Sequence, residues 1–152
     1  MKSWKSTPKS EFGGAFLANK RKSKRPLSNK ESMHLVLRLR QNLPGLFEPR
    51  DVKLKASVYK IAQKYDVKIY RLIFNHSHLH AVLLLKNRAS YLRFIREVTS
   101  FMVRHFTMTI GVRFKNIFLH RPYSRIVAWG RAYRALLNYM KKNEVESGVK
   151  QG

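Results

Sequence analysis

The sequence predicts an α+β fold, an antiparallel sheet with helices on its face, preceded by a basic arm. Three observations carry that expectation. Short segments alternate apolar and polar side chains, longer ones place apolar residues at helical spacing, and in the N-terminal stretch neither period lasts. With 152 residues, 44% hydrophobic and 12% aromatic, the chain is long enough for one domain with its own core.

Residues 1–32 carry Lys2, Lys5, Lys9, Lys20, Arg21, Lys22, Lys24, Arg25 and Lys30 among Ser, Gly and Pro, and read as a flexible, disordered basic arm. From Met33 to Arg40 the pattern becomes strict. Met33, Leu35, Leu37 and Leu39 share one face and His34, Val36, Arg38 and Arg40 the other, which describes a half-buried strand whose second face is basic. After a break at Pro44, Gly45 and Pro49, the segment from Asp51 to Tyr65 spaces Leu54, Val58, Ile61, Ala62 and Tyr65 as a helix does, with Asp51 near its N-terminus. Val67 to Phe74 is rich in β-branched and aromatic residues. Past the punctuation at Asn75 to Ser77 a second apolar run reaches Leu85, so these two segments form a strand pair. Ser90 caps a long helix whose stripe is Tyr91, Ile95, Val98, Met102 and Phe106, ending at Thr109 to Gly111. Phe114 to Val127 is extended chain broken at Pro122. A last helix runs from about Ala128 to Asn143, with Trp129, Tyr133, Leu136, Leu137 and Met140 on its buried side, and the folded part ends near residue 148 before a short tail, 149–152. The order β-α-β-β-α-β-α describes a ferredoxin-like arrangement.

Charge says most about partners. Lys and Arg number 32 against 8 Asp and Glu, a formal net charge of +24. Such a chain repels itself unless it meets a polyanion. No segment has the pattern of a basic amphipathic membrane helix, a bilayer span or a secretory signal, so nucleic acid in the cytosol is the expected partner. A ribosome-associated scaffold accounts for the charge alone. The absence of cysteine excludes disulfides, thiolate nucleophiles and Cys-ligated zinc. The acids are too scattered to build a carboxylate-rich two-metal site.

Two constellations carry chemistry. In the stretch NHSHLHAVLLL, His78 and His80 are two apart on a strand and point to one face while Leu79 points to the other. The strand runs on into residues apolar on both faces, where unpaired imidazoles are costly, and two adjacent imidazoles suit one cation. His76 extends the row but lies nearer the turn. In the last helix Tyr139 and Asn143 are four residues apart and stack on one face, with Tyr139 roughly 100° from the centre of the buried stripe.

His78-Leu79-His80, followed by a helix carrying Tyr139-x-x-x-Asn143, resembles the single-tyrosine HUH transposases (His, hydrophobic, His). These comprise insertion-sequence transposases and REP-associated tyrosine transposases. The MHLVLRL strand, the YRLIFNHSHLH hairpin and the HRPYSRIVAWGRAYRALLNYMKKNEVESG ending carry the likeness over residues 33–148. One departure is that Ser77 stands where relatives often have Asn before the first histidine. The resemblance implies that His78 and His80 hold magnesium or manganese, with Asn143 as third ligand and Glu144 or Glu146 as alternatives, and that Tyr139 is the nucleophile. It also implies a homodimer acting on imperfect hairpins of single-stranded DNA, near the nucleoid, cutting and rejoining strands through a 5′-phosphotyrosine. A relative that binds DNA or RNA hairpins without cutting is the alternative. For phosphate contacts the candidates are Arg38, Arg40, Arg121, Arg125, Arg131, Arg134, Lys141 and Lys142, with Tyr123 or Trp129 available to stack on bases.

Overall fold

The structure is a computed structural model and describes residues 11–14, 24–40, 47, 51–113 and 116–146. Its elements are β1 (Glu11–Phe12), β2 (Ser32–Arg38), α1 (Val52–Lys64), β3 (Lys68–Asn75), β4 (His78–Leu84), α2 (Arg88–Ile110), β5 (Tyr123–Val127) and α3 (Arg131–Glu146). The five strands make one antiparallel sheet in the order β1-β5-β2-β4-β3. Without the short β1, this is the ferredoxin-like order that the alternation of strands and helices predicts.

Strand alternation divides the core in two. Met33, Leu35 and Leu37 of β2, with Leu79, Ala81 and Leu83 of β4, meet α1 through Leu54, Val58 and Ile61 and α2 through Tyr91, Phe94, Val98, Met102 and Phe106. Full burial of each Leu, Val, Ile, Phe or Met side chain in this cluster contributes roughly 1.5–3 kcal/mol. The opposite face carries a smaller cluster, Ile73, Val82 and Val127 with Leu136 and Met140 of α3. The sheet is therefore covered on both faces.

Local chemistry explains most element ends. Asp51 accepts a hydrogen bond from the Leu54 N–H at 2.9 Å and caps α1. The cap of α2 is Asn87, not Ser90: the Asn87 Oδ1 accepts from the Ser90 N–H at 2.8 Å, so the expected cap lies inside the first turn. Gly111, at φ 83°, closes α2 by donating to the Thr107 carbonyl at 2.8 Å. Helix α3 starts later than Ala128 because Trp129 and Gly130 form a turn, with Gly130 at φ 96°. Trp129 therefore lies outside the helix, 43% exposed. Its indole N–H donates to the Lys30 carbonyl at 2.6 Å and its ring packs on Tyr70 and Tyr133.

The described parts of residues 1–32 lie against the edge of the sheet. Glu11 and Phe12 pair with Arg125 and Ser124, and the Gly14 N–H donates to the Arg121 carbonyl at 2.8 Å. Arg25 donates to the Pro122 carbonyl at 2.9 Å and to the Ser124 Oγ at 2.8 Å, and its guanidinium lies 4.3 Å from the Phe12 ring centroid. Parts of this segment thus complete the sheet edge. The remainder of residues 1–32 and the tail at 149–152 lie outside the described residues. Among the described residues no helix is long and apolar enough to cross a membrane.

Candidate active site

The α3 face of the sheet holds the site because α3 covers only part of it. Leu136 and Met140 seal one region, whereas the short side chains of Ala132 and Ala135 line a cleft of about 730 Å³. The floor of that cleft comes from alternate residues of three adjacent strands: His34, Val36 and Arg38 of β2, His78 and His80 of β4, and Tyr123 and Arg125 of β5. Tyr139 and Asn143 project into it from α3.

Each histidine of the pair has its Nδ1 occupied. Residues 75–78 form a tight turn in which the Asn75 Oδ1 accepts from the backbone N–H groups of Ser77 (3.2 Å) and His78 (2.8 Å), which identifies that atom as the oxygen. The same oxygen lies 3.2 Å from Nδ1 of His78, with the Ser77 Oγ at 2.8 Å. An amide oxygen only accepts, so the Asn75 contact favours the His78 tautomer with its proton on Nδ1 and a lone pair on Nε2, while the closer Ser77 hydroxyl can pair with Nδ1 in either sense. Nδ1 of His80 lies 3.2 Å from Nε2 of His34, and the two rings stack at 5.4 Å and 16°. His34 is across from Val82 in the β2–β4 register, and His80 is two residues before Val82, so the pair is a diagonal one on a single face.

These rings are neutral. Burial, with the neighbouring His80 and Arg125, pushes His34 down from 6.5 to about 3. Burial, His78 and Arg38 push His80 down to about 4, and burial and Arg38 lower His78 as well. Neutral imidazoles with free lone pairs are ligands, or acceptors, at physiological pH.

Tyr139 is 50% exposed and its ring meets His80 edge-on at 6.1 Å and His34 at 6.4 Å. One turn later the Asn143 Nδ2 donates to the Tyr139 carbonyl at 3.1 Å, which leaves Asn143's oxygen as its free end. Glu144, the alternative third ligand, is paired with Arg71 of β3. The side chain of Glu146 lies outside the described residues. Among the described residues no group of three or more His, Cys, Asp or Glu is placed to hold a metal ion.

The expected phosphate contacts divide. Arg38, Arg121 and Arg125 line the cleft, whereas Arg40, Arg131, Arg134, Lys141 and Lys142 are exposed beyond it. Arg40 reaches the Asn116 carbonyl at 3.3 Å. Tyr123 is inside the cleft and Trp129 is not, while His76 is exposed in the turn. Sequence reasoning missed His34, Asn75 and His120 as lining residues. Asn75 had a signal in the turn it forms. His34 had only its place two residues from Val36 on the face assigned to solvent.

No family profile and no curated protein sequence matches the chain. Solved structures do. A REP-associated tyrosine transposase bound to a REP hairpin superposes with a TM-score of 0.61 at 17% identity, covering 84% of this chain and 74% of that one. A candidate transposase of Deinococcus radiodurans R1 superposes with a TM-score of 0.51 at 14% identity, covering 82% of this chain and 98% of that one. The chain shares its fold with both.

Proposed function

We propose that the protein cuts and rejoins single-stranded hairpin DNA with Tyr139 as nucleophile. The observation that carries this reading is the convergence of Tyr139 and Asn143 from α3 on His78 and His80 from β4 in one basic cleft. The Tyr139 oxygen attacks a backbone phosphorus, the bond to the 3′ oxygen breaks, and that oxygen takes up a proton, leaving a 5′-phosphotyrosine. One phosphate ester replaces another, so no ATP, oxidant or water nucleophile is needed. Attack by a 3′-hydroxyl on the phosphotyrosine reverses the step and rejoins strands.

His78 and His80 through Nε2, and Asn143 through its amide oxygen, are the residues that would hold a divalent cation. Two imidazoles and one amide oxygen fit manganese better than magnesium, which prefers an all-oxygen shell. When bound, the ion would neutralise charge on the scissile phosphate and polarise it. Arg38 and Arg125 flank the histidines along the floor and orient the strand by its phosphates, while the Tyr123 ring offers a face to an unstacked base. Arg131, Arg134, Lys141 and Lys142 extend the basic surface along α3 for the hairpin stem. The hairpin in the REP-associated neighbour supports that substrate class. A homodimer, each copy holding one hairpin, is the assembly this reading expects.

Incubation with hairpin-bearing single strands and manganese, followed by a denaturing gel, tests it. A covalent protein–DNA adduct forms with the parent and disappears in Tyr139→Phe. Absence of an adduct across varied hairpins, with binding retained, replaces the enzyme by a hairpin-binding protein. Cleavage that survives His78→Ala removes the metal assignment.

A further inference from the structure

We infer that His34 is a positioning residue that fixes the tautomer of His80, so that Nε2 of His80 faces the cleft as a lone pair and not as an N–H. This deepens the reading above and rests on it only for the use to which that lone pair is put.

The contact between His34 and His80 joins two ring nitrogens at 3.2 Å, so one must donate and the other accept. The choice has opposite consequences at the cleft. If His34 donated, Nδ1 of His80 would be the acceptor and its Nε2 would carry hydrogen, giving a phosphate-binding donor that cannot ligate a cation. If His80 donates from Nδ1, its Nε2 is a bare ligand.

Two features select the second arrangement. Arg38, Arg121 and Arg125 line the cleft, their guanidinium groups are donors only, and a lone pair is stabilised in that positive field where an N–H is not. His78, the other half of the pair, has Nδ1 3.2 Å from the Asn75 oxygen, a contact that favours Nδ1–H, and the same polarity on His80 turns both Nε2 atoms into matched ligands. His34 is 6% exposed and His80 also 6%, so water has little access with which to compete for either nitrogen. The nearly parallel rings, in contact through Nε2 and Nδ1, leave little freedom for His80 to rotate. Metal-binding histidines owe both orientation and basicity to such an acceptor behind Nδ1, and its removal costs about 10–100-fold in affinity.

The test begins with the metal-free parent, in which long-range ¹H–¹⁵N NMR assigns the proton on each imidazole. Nδ1–H on His80 with an unprotonated Nε2 is expected; an Nε2–H form overturns the inference without any mutation. His34→Met fills the space but cannot accept, whereas His34→Gln places an amide oxygen near the position of Nε2. In His34→Met the His80 signals should show mixed tautomers, and manganese affinity, followed by the loss of free Mn²⁺ EPR signal, should fall about 10–100-fold. His34→Gln should restore the tautomer and most of the affinity. Unchanged His80 signals and affinity in a folded His34→Met protein refute the role. A parent that has the expected tautomer and binds manganese but forms no DNA adduct refutes strand cleavage and supports the assignment of His34.

Discussion

The two faces of the sheet are built by the same two central strands, β2 and β4, and have opposite characters. On the α1/α2 face, Met33, Leu35, Leu37, Leu79, Ala81 and Leu83 disappear into a continuous apolar core, each at most 2% exposed. On the α3 face, the residues between them are His34, Val36, Arg38, His78, His80 and Val82, and only part of their surface is sealed by Leu136 and Met140. One face supplies most of the buried apolar surface, and the other places polar groups on strands anchored by that core. A helix that covers its sheet incompletely is what makes the cleft.

This contrast can be broken in steps of decreasing size. Tyr139→Phe should abolish adduct formation, at least about 10⁴-fold, with thermal stability within about 0.5 kcal/mol of the parent, because the side chain is half exposed. A large loss of stability would mean that the α3 face is structural after all. Leu83→Ala, at a fully buried position of the other face, should cost about 2–5 kcal/mol in urea unfolding. Any folded fraction of that variant should retain a manganese site.

The α3 face should also be the acid-sensitive one. His34 and His80 have folded pKa values of about 3 and about 4 against 6.5 when unfolded, so between those limits the unfolded chain binds more protons. Their contribution is complete above pH 6.5 and is lost as pH falls toward 4, on the order of 3 kcal/mol from His34 alone. Denaturation of the metal-free protein at pH 7, 5.5 and 4 measures it, and His34→Met should flatten the profile. An equally steep profile in that variant would assign the acid sensitivity elsewhere.

Two smaller effects sharpen the edges of the comparison. Gly13 sits at φ 85°, and a Cβ there would stand 1.9 Å from the Pro122 carbonyl oxygen. Gly13→Ala should therefore release β1 at a cost of roughly 1–3 kcal/mol, read as faster amide exchange along β5. Arg71→Ala removes the ion pair that ties Glu144 near the end of α3 to β3 and should cost about 1 kcal/mol. Its larger effect should be on adduct yield, since the same turns carry Tyr139 and Asn143.

Much of this architecture was legible in the sequence, because strand alternation and helical spacing report directly which side chains share a face. Helices α1 and α2 and the β3–β4 hairpin follow from those periods with ends shifted by a few residues. What period cannot report is whether a face is covered. His34 therefore reads as solvent-facing next to Arg38 and Arg40, although α3, distant in sequence, buries it. The same limit explains Trp129, which fits the apolar stripe of α3 by spacing yet falls in the turn before it. Two residues, Glu11 and Phe12, are too few to display any period. They are ordered by pairing with β5, a long-range contact. Motif and helix face pointed to His78, His80, Tyr139 and Asn143, whereas Asn75 and His34 join the cleft through contacts made only in the folded chain.

The diagonal of His34 and His80 across the β2–β4 ladder ties the site to parity. A slip of one residue in either strand exchanges the two faces, sending the imidazoles into the apolar core and the leucines onto the floor. The large energetic cost of that exchange means the hydrophobic core acts as the proofreader of the site's geometry. Length changes in the turn at His76 and Ser77 are tolerable to the fold only if they preserve the pairing of Asn75 with His78, and an insertion that keeps the strands but loses that closure would leave a stable protein with its first imidazole unaimed.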